Sequence, residues 1–195
     1  KTITTGEGGA ILTKNKKISN KAMLLSNHGI ERNINNKIKW LYDQKFLGYN
    51  FRLSDISASL GISQLNRINK LIKKREKVAE YYYKNLSSFP LILPPKIKNI
   101  KNSYHLFVVK FKKNNNKKNR NNFYNFMRKN NIHVQFHYIP LYRHTYFKKM
   151  HFKIKDFKNA ENYFKCAISL PIYPNLNKTK LKKIIKTIRT FFYNN

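Results

Sequence analysis

Cysteine is nearly absent from this sequence, since Cys166 is the only one among 195 residues. A single cysteine excludes an internal disulfide bond, and such sparse use is typical of proteins in a reducing compartment. No apolar run approaches the roughly 20 residues that a membrane-spanning helix needs. The first residues also do not have the basic and apolar pattern of a secretory leader. We therefore expect a cytoplasmic protein with no membrane partner.

Acidic residues are scarce as well: 8 Asp and Glu face 41 Lys and Arg, a formal net charge of +33. With so few carboxylates, and no ligand spacing among the histidines, we expect no metal site. The charge allows one competing hypothesis, a non-catalytic protein that binds nucleic acid or another polyanion. However, the lysines are spread along the whole chain, and Asn, Ile, Phe and Tyr are frequent together with them. We attribute the charge to this overall composition and expect no specific nucleic-acid partner.

The apolar residues indicate a folded chain that mixes helices and strands. Hydrophobic residues make up 41% of the sequence and include 14 Phe and 13 Tyr, too many for a disordered chain. The spacing of these residues predicts the elements. Helices are predicted over 15–26, 54–86, 156–167 and 181–192 and around 123–127, and strands over 10–12, 103–111 and 132–136.

Three prolines mark the predicted domain boundary: Pro90, Pro94 and Pro95 follow the long helix predicted over 54–86. That helix would be about 48 Å long at 1.5 Å per residue, enough to cross between two lobes. We therefore predict a first domain over 1–89 and a second over 90–195. Strands interleaved with helices in the second domain predict a small α/β fold.

The first motif is a lysine followed by a glycine-rich turn and a short apolar run, Lys-Thr-Ile-Thr-Thr-Gly-Glu-Gly-Gly-Ala-Ile-Leu-Thr at residues 1–13. Glycines let the chain turn tightly and pass close to a ligand. The motif resembles the stretch after the cofactor-binding lysine in the sugar aminotransferases of the DegT/DnrJ/EryC1/StrS family. The resemblance implies that Lys1 is the catalytic residue and holds pyridoxal 5'-phosphate. Relatives that use this cofactor for dehydration have histidine in place of the lysine, so Lys1 argues against that reaction.

The second motif, Gly-Tyr-Asn-Phe-Arg-Leu-Ser-Asp-Ile at 48–56, is followed by Ser-Leu-Gly-Ile-Ser-Gln-Leu. It resembles the Gly-x-Asn-aromatic-Arg segment of the same family, in which the Asn reaches the cofactor phosphate of the neighbouring subunit. The resemblance implies that Asn50 binds the cofactor, because its amide can donate to a phosphate oxygen. Arg52 is a second candidate for phosphate or substrate, and an ion pair with Asp55 is the structural alternative.

The third motif is Val-Gln-Phe-His-Tyr-Ile-Pro-Leu-Tyr at 134–142. It resembles the strand ending in His-Tyr-x-Pro that faces the sugar nucleotide in the family, although a His-Tyr pair at a strand end is often only a packed turn. The resemblance implies that Gln135, Phe136, His137 and Tyr138 line the substrate pocket. His137 would be the hydrogen-bonding or proton-relay residue. The Pro-Leu-Tyr continuation is most like enzymes that aminate a UDP-linked 4-keto deoxy sugar on the way to pseudaminic acid.

Taken over the whole chain, the resemblance implies an α/β protein of the pyridoxal-phosphate-dependent transferase fold type I. The chain would supply the end of the large domain and the small C-terminal domain. Glutamate would donate the amino group, a nucleotide sugar would accept it, and the enzyme would work as a homodimer with shared active sites. The upstream part of the large domain is not in this sequence, so we expect the chain by itself to be inactive and prone to aggregate.

Overall fold

A computed structural model of the chain describes residues 1–32, 38, 40–112 and 117–193. The chain divides into two compact units. The first consists of Lys1 and Ile3–Ile68, and the second of Thr2 and Asn69–Asn195. The domain boundary predicted near residue 90 stays a prediction.

Among its described residues, the first unit contains two helices and one antiparallel pair of short strands. Helix α1, Lys16–Ser26, begins after Asn15, whose side chain accepts from the backbone N–H groups of Lys17 and Ile18. Strand β1, Ile30–Glu31, pairs antiparallel with β2, Asp43–Gln44. Helix α2, Asp55–Asn66, begins after Ser54, whose hydroxyl accepts from the N–H of Ser57.

The second unit is built around a three-stranded antiparallel sheet in the order β3-β4-β5. The strands are β3, Leu91–Ile92; β4, Phe107–Phe111; and β5, Ala167–Leu170. The helices are α3, Ile68–Leu86; α4, Lys117–Lys129; α5, Thr145–Lys148; α6, Lys158–Cys166; and α7, Lys178–Tyr193. Two 3₁₀ turns, Leu141–Arg143 and Ile154–Phe157, precede α5 and α6.

The core of the second unit lies between the sheet and its helices. Alternate residues of β4 are buried, as expected for a strand with one covered face, whereas all four residues of β5 are buried. Helix α3 contributes Tyr82, whose hydroxyl donates to the carbonyl of Pro171. Other fully buried large side chains are Leu86, Phe107, Phe111, Phe123, Met127, Ile168 and Ile188.

The long helix predicted over 54–86 is wrong, because two helices meet at Arg67. The N–H of Arg67 bonds to the carbonyl of Gln64, one residue short of the usual α-helical partner. The carbonyl of Ser63, which that N–H would normally reach, accepts instead from Nε of Arg67 at 3.2 Å. A side chain therefore replaces one backbone bond of the helix and ends α2.

Three other predicted elements also differ. Residues 10–12 pair with no strand among the described residues, and Leu12 is 95% exposed. The strand predicted over 132–136 is reduced to one bridge between Gln135 and Ser169. The helix predicted over 156–167 begins at Lys158, and Ala167 is the first residue of β5. In the last case the apolar spacing fits a helix, but pairing with the distant β4 stabilises the extended form.

Candidate active site

The segment that carries Asn50 is fixed to the end of α1 by backbone hydrogen bonds. The N–H of Tyr49 donates to the carbonyl of Leu25 at 2.7 Å, and the N–H of Phe51 donates to Ser26 at 2.9 Å. The carbonyl of Tyr49 accepts from His28 at 2.8 Å. These bonds form an antiparallel bridge between residues 27 and 50. Asn50 therefore has a defined backbone position although its side chain is exposed.

Two glycines make this close approach possible. Gly29 has φ +70°, in the left-handed region, and a Cβ there would overlap the carbonyl oxygen of Phe46. A Cβ at Gly48 would overlap the backbone nitrogen of Gly29 and lie 3.0 Å from the carbonyl of Leu25. Glycine is needed at both positions because backbone meets backbone there.

Asn50 and Arg52 form a polar pair. Nε of Arg52 donates to Oδ1 of Asn50 at 3.1 Å. The alternative pairing of Arg52 with Asp55 does not form among the described residues. Because Oδ1 is occupied, the free groups of the pair are the N–H donors of the Asn50 amide and the terminal nitrogens of Arg52. Such a set of donors suits an anionic oxygen group.

The turn that follows Lys1 packs against the segment after Arg52. A Cβ at Gly8 would lie 3.3 Å from Leu53, and a Cβ at Gly61 of α2 would lie 3.0 Å from the methyl group of Thr5. The turn itself is closed by the N–H of Gly6, which donates to Oγ1 of Thr4 at 3.1 Å. Lys1 is exposed, and its amine forms no hydrogen bond or ion pair with another described residue. An amine without an internal partner is available to a ligand.

In the second unit, residues 135–138 follow α4 and lie against β5. Gln135 and Ser169 exchange two backbone hydrogen bonds, of 3.2 and 2.8 Å. Two residues further on, Nδ1 of His137 lies 2.7 Å from Oγ of Ser169. Partial burial lowers the pKa of His137 below 6.5, because desolvation disfavours the imidazolium form. The imidazole is therefore neutral at neutral pH.

Phe136 and Tyr138 have different surroundings. The ring of Phe136 stacks on Tyr124 with centroids 5.0 Å apart, and the guanidinium of Arg120 lies 4.4 Å from its centroid. Arg120 and Tyr124 are four residues apart on α4 and so lie on one side of that helix. Tyr138 is 74% exposed, and its ring meets that of His137 edge to face at 4.6 Å. The structure thus gives Phe136 a packing contact, and its predicted contact with substrate stays a prediction.

A buried ion pair beside this segment was missed by the sequence reasoning. Glu161 on α6 accepts from Nε of Arg143 at 2.7 Å and from the hydroxyl of Tyr142 at 3.0 Å, and its second oxygen pairs with Nη2 of Arg143. The hydrogen bond from Arg143 lowers the pKa of Glu161. The side chain of Glu161 is 8% exposed and that of Arg143 is 33% exposed. The pair fixes the turn Leu141–Arg143, which follows residues 135–138.

Ser169 was also missed, and its sequence context held a signal. Its neighbours Ile168 and Leu170 are apolar and buried, so a hydroxyl between them needs a hydrogen-bond partner. In the first unit the structure pairs Asn50 with Arg52, and no hydrogen bond or ion pair joins Lys1 to either of them. In the second unit Gln135, Phe136, His137 and Tyr138 are consecutive residues of one segment. Within the part of the chain that the structure describes, no three His, Cys, Asp or Glu side chains are grouped for a metal ion. No described helix is both long and apolar enough to cross a membrane.

Each unit thus presents polar groups that can bind a ligand: an exposed lysine amine and the Asn50 and Arg52 donors in the first, and the imidazole of His137 in the second. The model of the DegT/DnrJ/EryC1/StrS aminotransferase family matches residues 1–189. The chain belongs to this family. The expected α/β fold class is confirmed by the sheet and helices described above and by the solved structures that the chain resembles.

Two curated relatives and one solved structure illustrate the match. The chain is 35% identical over 190 residues to the UDP-4-amino-4,6-dideoxy-N-acetyl-beta-L-altrosamine transaminase of Campylobacter jejuni, covering 96% of this chain and 49% of the relative. It is 30% identical over 196 residues to the spore coat polysaccharide biosynthesis protein SpsC of Bacillus subtilis, covering 97% and 50%. Its structure matches Helicobacter pylori PseC, an aminotransferase of pseudaminic acid biosynthesis, with a TM-score of 0.89 and 28% identity over 100% and 51% of the two chains. The chain spans about half the length of these relatives.

Proposed function

We propose that this chain is part of a pyridoxal-phosphate-dependent aminotransferase that acts on a nucleotide-linked keto sugar. The observation that carries the proposal is the match of residues 1–189 to a sugar aminotransferase family, with a lysine free of internal contacts at the start of the matched region. The single cysteine and the reducing compartment that it indicates support a cytoplasmic enzyme.

The residues of the first unit fit the cofactor by their chemistry. Pyridoxal phosphate carries an aldehyde, with which a lysine amine condenses, and a phosphate, to which amide and guanidinium groups donate. When bound, it supplies the electron sink through which an amino group passes between an amino acid and a ketone. Lys1 would hold the cofactor and carry a proton to and from the carbon that gains the amino group. Asn50 and Arg52 would donate to the phosphate.

For the substrates, we propose glutamate as amino donor and the 4-keto carbon of a UDP-linked deoxy sugar as acceptor. Two relatives support the acceptor: the C. jejuni protein is named as the transaminase of a UDP-linked 4-amino-4,6-dideoxy sugar, and H. pylori PseC is described as an aminotransferase of pseudaminic acid biosynthesis. Gln135, His137 and Tyr138 would bind the sugar nucleotide, since they combine an amide, a neutral imidazole and an exposed phenol in one segment. We further propose a homodimer with shared sites, which would give Asn50 a role toward the neighbouring subunit's cofactor.

Covalent labelling tests the cofactor assignment. The whole product of the gene is mixed with pyridoxal phosphate and reduced with borohydride, and the modified peptide is identified by mass spectrometry. We expect the label on Lys1, complete loss of that label in Lys1→Arg, and unchanged labelling in Lys14→Arg. Lys14 is a matched control because it is an exposed lysine in the same unit. Label spread over many surface lysines, or none at all, would overturn the assignment.

The amino transfer is tested separately on protein that has bound pyridoxal phosphate and has not been reduced. Glutamate and a UDP-linked 4-keto-6-deoxy sugar are added, and the aminated sugar is measured. We expect product with the wild type and at least a thousandfold lower rate with Lys1→Arg, since one residue would both hold the cofactor and move the proton. If the cofactor binds at Lys1 but product forms only from a GDP-linked or dTDP-linked keto sugar, the proposed UDP substrate is wrong. The proposed reaction, amino transfer to a nucleotide-linked keto sugar, would still stand.

A further inference from the structure

Ser169 occupies an unusual position for a hydroxyl group. It lies in β5, where all four residues are buried, and it is itself only 5% exposed. Its backbone pairs with Val108 of β4 on one side and with Gln135 on the other. An unpaired hydroxyl at such a place would be destabilising. A serine that serves only to pack the strand would be better replaced by alanine or valine.

The partner of this hydroxyl is His137. Oγ of Ser169 lies 2.7 Å from Nδ1 of His137 and makes no other hydrogen bond to a described residue. The two backbone bonds between Gln135 and Ser169 fix the strand relative to the segment that carries the histidine. The hydroxyl therefore meets the imidazole from a rigid position, which is what orienting a ring requires.

The direction of the hydrogen bond follows from the donors present. A serine hydroxyl has one proton to donate, and Nδ1 of His137 is the acceptor within reach among the described residues. If Nδ1 carried the proton instead, the buried O–H would be left without a partner. The satisfied arrangement therefore has Oγ–H donating to Nδ1 and the imidazole proton on Nε2.

We propose that Ser169 is a positioning residue that holds His137 as the neutral Nε2–H tautomer, so that His137 donates a hydrogen bond to an acceptor oxygen of the sugar nucleotide. The proposal rests on the proposed function in one respect, the identity of the ligand. It assigns His137 a donor role at Nε2 and excludes a role as the base, because the nitrogen that could accept a proton already accepts one from Ser169. The lowered pKa of His137 is consistent with a neutral ring.

The tautomer is tested on the whole gene product by ¹⁵N NMR with labelled histidine. The His137 signals are assigned by their loss in His137→Gln. We expect protonated Nε2 and unprotonated Nδ1 in the wild type, a shift toward mixed tautomers in Ser169→Ala, and recovery in Ser169→Thr, which keeps the hydroxyl. Protonated Nδ1 in the wild type, or an unchanged spectrum in Ser169→Ala, would overturn the proposal. If the alanine variant does not fold, the wild-type spectrum alone shows which ring nitrogen of His137 carries the proton and so tests the proposal.

Ligand binding is then measured with the whole gene product, using UDP and a UDP-linked sugar as probes. For Ser169→Ala we expect about tenfold weaker binding, the effect of one lost hydrogen bond, and recovery in Ser169→Thr. Ser87→Ala is the control, because Ser87 is exposed in the same unit. Weaker binding of UDP itself places the acceptor oxygen on the diphosphate, whereas weaker binding of the UDP-sugar alone places it on the sugar. The expected tautomer without binding of either probe would overturn the proposed ligand and leave the positioning role standing.

Discussion

At the scale of single residues, Glu161 shows how much depends on one of the few acids in a strongly basic chain. It is buried, and it accepts hydrogen bonds from Arg143 and Tyr142. Breaking such a pair leaves the partner cation without its counter-charge, which costs more than the pair contributes. The exposed third of the Arg143 side chain reduces that cost, because water screens the guanidinium.

We expect Glu161→Gln to destabilise the chain by about 1–2 kcal/mol at pH 7 and to lower the Tm by about 3–6 °C. The folded-state pKa of Glu161 is below its ordinary value of 4.5, so its contribution is present at neutral pH and is lost as pH falls through that folded-state pKa. Thermal unfolding followed by circular dichroism at pH 7 and below pH 4 measures the difference in Tm between the wild type and Glu161→Gln. This difference should be smaller in acid. Glu76→Gln, which removes an acid that forms no ion pair with a described residue, is the control. An equal loss of Tm in both variants would contradict this role.

At the scale of elements, the first unit depends on the attachment of residues 48–51 to the end of α1. Three backbone hydrogen bonds and the close approach of two glycines hold this segment. The attachment is long-range in sequence, because its hydrogen bonds join residues about 24 apart. It is also the reason that Asn50 and Arg52 have a fixed backbone while their side chains remain exposed.

We expect Gly48→Ala to loosen this attachment, because its Cβ would meet the backbone of Gly29 and Leu25. Overpacking of this kind costs about 1–3 kcal/mol, so the amides of His28, Tyr49 and Phe51 should exchange with solvent at least about fivefold faster. Hydrogen exchange read by NMR measures the effect. Gly9→Ala should leave these rates unchanged, since a Cβ at Gly9 meets no atom within 4 Å. The same acceleration in both variants would show that the close approach does not hold the segment.

At the scale of the whole chain, the two units differ in how much apolar surface they bury. The buried hydrophobic side chains of the described residues run from Val78 to Phe191, all in the second unit. In the first unit many large apolar side chains are exposed, among them Leu12 at 95%, Ile56 at 85% and Leu47 at 81%, and none of the other described ones is fully buried. Apolar burial is the main source of folding free energy, so the second unit has a core of its own and the described part of the first does not.

We expect hydrogen exchange on the 195-residue chain to separate the units. Amides of the core elements, such as Phe107, Ile168 and Ile188, should exchange slowest, and those of α1 and α2 should exchange at least about a hundredfold faster because little tertiary burial opposes their opening. The exposed apolar side chains should also bind a hydrophobic dye and promote aggregation. Uniform slow exchange in both units, with no dye binding, would contradict this difference.

Much of the candidate site could be predicted from the sequence, because its motifs are local. The lysine with its glycine turn, the Gly-Tyr-Asn-Phe-Arg segment and the Gln-Phe-His-Tyr segment each lie within a few consecutive residues. The helices at 16–26 and 178–193 agree with the predictions over 15–26 and 181–192, since their apolar stripes are read from neighbouring positions, whereas α4 begins at Lys117, earlier than the helix predicted around 123–127. The match of residues 1–189 confirms the family that these motifs indicated.

Only the tertiary structure decided the interactions between residues distant in sequence. Strand β5 forms because Ala167–Leu170 pairs with β4 some 60 residues earlier, and helical spacing in the sequence hides that pairing. The early end of the helix predicted over 54–86 is a local effect instead, because the side chain of Arg67 takes the carbonyl of Ser63 four residues earlier, which apolar spacing does not reveal. The contact between Ser169 and His137 spans 32 residues. Local composition fixes neither partner of such a contact, since each depends on how the chain folds back on itself.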